Sequence, residues 1–369
     1  MVIDPRQSGR HRPAGGIQEA PARLDPGAAS TPDRLPLAYV LPLRADSDSG
    51  GGLTGYLREL SRWVDVIVVD GSPPEVFARH AAAWRGLVRH VPPDPALRGR
   101  NPTALGVLTG VGLARHEHVV IAGDDVRYDL AGLRAVHGLL DRVDLVRPQH
   151  HVDPLPWHAW RDTGGTLLRR AVGGDRPGTL AVRRSTFLAM GGYDPDVLAG
   201  NLELVRTVRA YGGATRAPAW LYVRRLPPAA ARRQSYDEVA RPGWLLAALA
   251  VLPAAAAALA ARRPGLLLRA GVATVAVAEL GRRRAGGARV FPAHTSLAAP
   301  LWLLERGVGA WLAVGRRLRG GAPGPDAGQA AHSIRALRRR LAERRPDDLV
   351  LWVETGAAPA PARSDRLPR

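Results

Sequence analysis

Two adjacent carboxylates, Asp124 and Asp125, close an apolar run that begins His118-Val-Val-Ile-Ala-Gly123. Such a run bounded by turn residues reads as a buried strand. Acids at its carboxyl end face the crevice where open α/β sheets bind ligands. Paired carboxylates there suit a hard divalent cation, Mg²⁺ or Mn²⁺, held through the acids and substrate phosphates. The bland alternative makes Asp124 and Asp125 caps of the next helix. Two further groups precede them. Asp70 ends another apolar run, where an acid can accept hydrogen bonds from a base or ribose. Arg98, Arg100 and Asn101 stand just before a helix, where two guanidiniums could hold phosphate oxygens. Taken alone, Asp70 reads as a turn former and the arginines as solvated.

The elements that must position these groups alternate. Strands are expected at Leu37 to Pro42, Val64 to Asp70, Leu87 to Val91 and His118 to Ala122. Helices are expected at Leu53 to Arg62, Glu75 to Trp84 and Ala104 to Ala114. That alternation argues for parallel βαβ units. Further on, a helix is expected from Leu130 to Val143, and strands at Asp144 to Arg147, Thr179 to Val182 and Ala219 to Arg224. A helical turn at Ser185 to Met190 and a helix at Asn201 to Tyr211 complete the pattern. Pro148 to Arg170, rich in Trp, His and Pro, reads as a long functional loop. Trp157 and Trp160 in it could stack on a sugar. His150, His151 and His158 lack a matching third metal ligand.

The formal charge is +19 and every one of the 52 basic residues is arginine. The skew accompanies abundant Ala, Gly and Pro, which points to a biased genome. Nucleic acid is not the expected partner, because single-strand sites also need aromatic stacking platforms and none is interleaved with arginine in the N-terminal half. An anionic membrane surface or a diphosphate would use the same charge. With no cysteine there is no disulfide, thiolate zinc cluster or thiol nucleophile.

Five segments in order carry a resemblance. They are Val66-Ile-Val-Val-Asp-Gly-Ser72, the stretch Arg98 to Tyr128, Gly191-Gly-Tyr-Asp194, Asn201-Leu-Glu-Leu-Val-Arg206, and Arg232-Arg-Gln-Ser-Tyr-Asp-Glu238. On these the chain resembles the family-2 glycosyltransferases, inverting enzymes that use nucleotide-sugars on a Rossmann-like type A fold. The resemblance covers about Leu37 to Arg241. It implies that Asp70 contacts the base, that Asp125 is the surviving metal ligand of the family's Asp-x-Asp motif with Asp124 beside it, and that Asp194 lies on the acceptor side. Arg233 and Gln234 fall where the family carries a Gln-x-x-Arg-Trp segment near acceptor and diphosphate. Two motifs depart from the pattern. Gly123 replaces the first acid of the metal motif, and Gly200-Asn201 replaces the Glu-Asp pair that supplies the base. Inverting transfer needs a group to deprotonate the acceptor hydroxyl, and asparagine cannot do so. Glu203 is the nearest carboxylate, about 200° around a helix from Asn201, with Asp194 and Asp196 as further candidates. A merely solvated Glu203 is the bland reading.

Composition changes at Trp244. Trp244 to Ala261 carries no charge, and Gly265 to Leu280 carries only Arg269 and Glu279 before Arg282-Arg283-Arg284. The two together are expected to form a membrane hairpin, with the arginine cluster on the cytoplasmic side. Arg262 and Arg263 at the tip cut against that orientation. Thr295 to Val314, with Glu305-Arg306 at its centre, suits an interfacial helix. Buried helices of a soluble domain are the alternative. The expected organisation is a disordered segment (1–34), a glycosyltransferase-like catalytic domain (35–241), hydrophobic membrane-associated helices (242–318), and a basic helix with a disordered tail (319–369). The expected activity is transfer of a sugar from a nucleotide-diphosphate donor to a lipid-linked or polysaccharide hydroxyl, on the cytoplasmic face of the cell membrane. A catalytically inactive relative that binds nucleotide-sugar or a partner at the membrane is the first alternative. A nucleotidyltransferase, which would leave the acceptor-side segments unexplained, is the second.

Overall fold

The continuous apolar runs become the centre of a mixed sheet. The computed structural model describes residues 34–45, 50–173, 178–196, 200–227 and 242–318. Arg233 and Gln234, the N-terminal segment and the basic stretch after residue 318 lie outside them. Strands β1 (Leu37–Leu43), β2 (Asp65–Asp70), β3 (Arg89–Val91) and β4 (His118–Ala122) are parallel neighbours in the order β3-β2-β1-β4. Parallel strands are covered on both faces, which is why their sequences are apolar throughout rather than alternating. Leu37, Val40, Leu41, Val68, Val119 and Val120 have no exposed surface.

Helices α1 (Gly50–Leu60), α2 (Pro74–Ala83) and α3 (Pro102–Leu113) make the crossovers. Leu53, Tyr56, Leu57 and Leu60 of α1 pack on one sheet face, together with α4 (Leu130–Leu140). Apolar α3 packs on the other. It lies close because Gly110 faces β1: a Cβ there would meet Val40 Cγ1 at 2.3 Å. Asn101 caps α3, its Oδ1 accepting from Thr103 N at 3.0 Å and Ala104 N at 3.2 Å, with Pro102 at the first helical position, where no N–H is missed.

The second half departs from simple βαβ repetition. Strand β8 (Thr179–Arg183) runs antiparallel between β4 and β6 (Leu145–Val146), and β9 (Thr215–Arg216) closes the sheet. A small second sheet is ordered β5 (Val126–Arg127), β10 (Tyr222–Arg225), β7 (Gln149–Val152). Between β8 and β9 lie α6 (Arg184–Ala189) and α7 (Gly200–Tyr211).

The stretch 148–170 is not a loop. It forms β7 and a 15-residue helix, α5 (Trp157–Ala171). The apolar face of α5 is short and rich in glycine, and it becomes a helix face only against partners more than a hundred residues later. Those are α9 (Pro264–Arg283), two 3-10 turns (Arg284–Arg289 and Ala293–Ala298) and α10 (Ala299–Leu318), while α8 (Pro242–Ala260) packs on α10. Leu167 and Leu168 of α5 share a core with Ala278, Phe291, Ala299 and Trp302. Glycines set the approach: a Cβ on Gly165 would enter the Trp302 ring at 2.2 Å, and one on Gly281 would lie 2.0 Å from Leu167 O. Buried Arg170 crosses the seam, donating to Gln149 Oε1 (3.0 Å), Tyr222 Oη (2.6 Å), Gly281 O (3.3 Å) and Arg284 O (2.9 Å).

The outward faces of these helices stay apolar, with Leu246, Leu259, Leu268, Val272, Leu280 and Leu312 all exposed. Among the described residues one segment, Pro264–Arg289, is long and apolar enough to cross a membrane by length and composition.

Candidate active site

Sheet topology selects one crevice. In the order β3-β2-β1-β4, the chain leaves β1 toward β2 on one side and returns to β4 on the other. The carboxyl ends of β1 and β4 therefore border the switch point where open α/β sheets bind ligands. Asp124 and Asp125 form the turn that leaves β4 there, closed by Val126 N donating to Gly123 O at 3.1 Å. Val40 pairs with Ile121 and Leu43 with Asp70. The acid turn thus leaves the sheet near the height of Asp70, two strands and about 10 Å away.

Asp125 is held by a residue the sequence did not single out. Arg225 Nε lies 2.6 Å from Asp125 Oδ2, both side chains about a quarter exposed. Leu226 N donates to Asp125 O at 2.7 Å, so β10 fixes both the backbone and the carboxylate of this residue. Arg127 donates to Asp124 O at 2.6 Å and lies over the Tyr56 ring, 4.5 Å from its centroid. Beneath the turn, Tyr128 N donates to Tyr56 Oη at 2.9 Å, and Tyr128 Oη is 3.0 Å from Thr179 Oγ1. Burial raises the pKa of Tyr39, Tyr56 and Tyr128, so these phenols stay protonated. The acids therefore stand on a floor of buried, hydrogen-bonded phenols.

Asp70 is fully buried. Its Oδ1 accepts from Ser72 N at 2.9 Å, and its Oδ2 lies 2.7 Å from His80 Nδ1 and 3.0 Å from His90 Nε2. Burial alone would raise its pKa. Hydrogen bonds from His90, Ser72 and His80 outweigh that and hold the carboxyl well below the usual range. Trp84 stacks on His80 and Phe77 on His90. Nothing in the spacing of these two histidines marks them as partners of Asp70. The carboxylate is spent inside the protein rather than presented at the crevice.

The amino ends of α3 and α7 meet beside the crevice. Asn101 N donates to Pro195 O at 2.9 Å, and Arg100 N to Asp196 Oδ1 at 3.0 Å. A Cβ on Gly200 would lie 3.4 Å from both Asn101 Nδ2 and Tyr193 Oη. Arg98 and Arg100 are exposed, and Arg98 folds back onto Pro95 O. Asp194 Oδ1 accepts from Asp196 N at 2.9 Å, which braces the loop. Asn201 is half-buried in the first turn of α7, whereas Glu203 is 1 % exposed and turned inward. The Tyr193 phenol is raised first by burial and then by the Glu203 charge, which places that carboxylate near it.

The donor set at the acid turn fits a hard divalent cation: carboxylate oxygens at a partly exposed turn, with Arg225 already supplying a positive partner to one of them.

No family model matches the chain, and no curated protein matches it. Among solved structures it is similar to the mannosyltransferase PcManGT from Pyrobaculum calidifontis in complex with GDP-Man and Mn²⁺. The two share 18% identity over 88% of this chain and 84% of that one, at a TM-score of 0.40. It is also similar to residues 1–349 of S. aureus TarS in complex with UDP-GlcNAc (12% identity, 55% and 63% covered, TM-score 0.40). A third is glucosyl-3-phosphoglycerate synthase from Mycobacterium tuberculosis in complex with Mn²⁺, UDP and glucosyl-3-phosphoglycerate (18% identity, 55% and 74% covered, TM-score 0.36). These likenesses are distant; the crevice is defined by the strand order and the acid turn.

Proposed function

We propose that this chain is a membrane-attached glycosyltransferase that moves a sugar from a nucleotide-diphosphate donor to a hydroxyl acceptor with inversion. One observation carries the reading: the Asp124-Asp125 turn leaves β4 at the switch point of a Rossmann-like sheet. Asp125, with Asp124 beside it, would hold Mg²⁺ or Mn²⁺, whose chemistry is to neutralise the donor diphosphate as it departs. Arg225 adds a fixed guanidinium at the same turn, and such preorganised charge stabilises a leaving group most where water is scarce. The amino end of α3 adds a favourable dipole, with the exposed Arg100 at its edge. Exposed leucines on α8, α9 and α10 support seating of these helices in lipid. Arg282 to Arg284 support a cytoplasmic face for the sheet domain, where a lipid-linked or polysaccharide acceptor would approach α7.

A second reading has its own observation. Asn201 stands where the base is expected, and Glu203, the nearest carboxylate, is buried. That favours a protein that binds the donor without transferring it. One experiment separates the two: screen nucleotide-sugars against the full-length protein for binding, then measure nucleoside diphosphate release with and without Mn²⁺. Metal-dependent release sinks the inactive reading. Metal-dependent binding with no release under any acceptor sinks the transferase, and no binding of any nucleotide-sugar sinks both.

A further inference from the structure

At the opposite end of β4 from the acid turn, a second group of ligand-type side chains converges. His118 opens β4, while His137 and Asp141 lie four residues apart at the end of α4, on one helix face. One ligand atom from each of the three lies within 4.8 Å of the other two. His118 Nε2 is 3.6 Å from Asp141 Oδ1. That is too long for a hydrogen bond, yet close to the roughly 3.3 Å separating ligand atoms around a tetrahedral Zn²⁺ with bonds of about 2.0–2.1 Å. The His118 and His137 rings are 4.5 Å apart.

His118 is more than nine-tenths buried, and its Nδ1 has no hydrogen-bond partner among the described residues. With Nε2 out of hydrogen-bond range of Asp141, the imidazole is buried with neither nitrogen well satisfied, an arrangement that costs free energy unless something else binds it. Neutral imidazole is the form that ligates metals. Asp141 is 61% exposed, which leaves an open path for an ion and a water in the fourth position. Arg183, whose backbone pairs with His118, is a nearby group that disfavours a cation.

We infer that His118, His137 and Asp141 form a binding site for a late first-row divalent cation, Zn²⁺ by ligand type, separate from the acid turn and clamping α4 to β4. Two imidazoles and one carboxylate suit Zn²⁺ and are poor partners for Mg²⁺.

Co²⁺ serves as the probe, added to full-length protein free of any histidine tag and followed by visible absorption. A four-coordinate nitrogen-containing site absorbs strongly, whereas Co²⁺ on carboxylates and water at the acid turn absorbs weakly. Wild type is expected to take up one Co²⁺ with a strong band that Zn²⁺ displaces. His137→Ala, at a partly buried position of α4, and Asp141→Ala, at its exposed C-cap, are expected to keep the fold by circular dichroism. Each is expected to weaken Co²⁺ affinity at least about tenfold, whereas Asp125→Ala leaves the band unchanged. Absence of a strong band overturns the site. So does a band that survives both substitutions, or one that disappears with His90→Ala, which would move it to the cluster around Asp70.

Discussion

Substituting Gly281 by alanine tests the seam between the sheet domain and the C-terminal helices. The new Cβ would lie 2.0 Å from Leu167 O and 2.9 Å from Ala171 N, both backbone atoms of α5 that cannot rotate aside. Restoring ordinary contact requires α5 and α9 to part by about 1.5 Å. Overpacking of this kind costs about 1–3 kcal/mol. The same movement pulls Arg170 Nε, now 3.3 Å from Gly281 O, out of hydrogen-bond range, which adds about 1.5–3 kcal/mol for a charged donor. Against this, alanine is the better helix former by about 1 kcal/mol. The net expectation is a loss of about 1.5–5 kcal/mol. Gly271 on the same helix supplies the control, since nothing lies within 4 Å of its added Cβ and only the propensity gain of up to about 1 kcal/mol remains. At about 2–4 °C per kcal/mol, the thermal unfolding midpoint of the full-length protein should fall by roughly 3–20 °C for Gly281→Ala. It should hold or rise for Gly271→Ala. Tryptophan fluorescence is a suitable signal because Trp302 lies in the seam. Equal stability of the two variants would refute the close crossing.

Asp125→Ala should abolish metal-dependent donor binding, measured by calorimetry with Mn²⁺. Arg225→Gln, which releases the Asp125 carboxylate, should tighten Mn²⁺ alone while weakening binding of the nucleoside diphosphate. Asp70→Asn should cost about 1.5–3 kcal/mol for each charged hydrogen bond lost and flatten the acid limb of the stability curve. The folded pKa of Asp70 lies below its ordinary 3.8. Its contribution is therefore complete above that value and is lost as pH falls from there toward the lower folded value, so acid unfolding of the two proteins should converge. Asn101→Ala removes the α3 cap and should lower stability by about 1 kcal/mol; an unchanged denaturant midpoint would contradict the capping geometry.

Much of the sheet was legible because its strands are buried on both faces: Val66 to Val69 and Val119 to Ala122 can be little else. The acid turn was legible for the same reason, since a strand that must be buried fixes where its carboxyl end emerges. What escaped depends on partners remote in the chain. Thr179 to Arg183 reads equally well as a parallel or antiparallel strand, and only its pairing with β4 decides. Arg225 sits at the end of a strand whose sequence gives no hint that it meets Asp125, a hundred residues earlier. The face of α5 carries Gly164 and Gly165 where apolar side chains would announce a helix, because Ala299 and Trp302 occupy that space instead. His80 and His90 likewise acquire meaning only once α2 and β3 bring them to Asp70.

Strand β10 is four residues long, about 13 Å from end to end. At one end Tyr222 Oη accepts from Arg170 and donates to Ala285 O at 3.1 Å; at the other, Arg225 grips Asp125. The acid turn is thus levelled against the C-terminal helices as a lens is levelled against its mount. A chain ended before Pro242 would keep every acid of the crevice and lose the reference that aligns them.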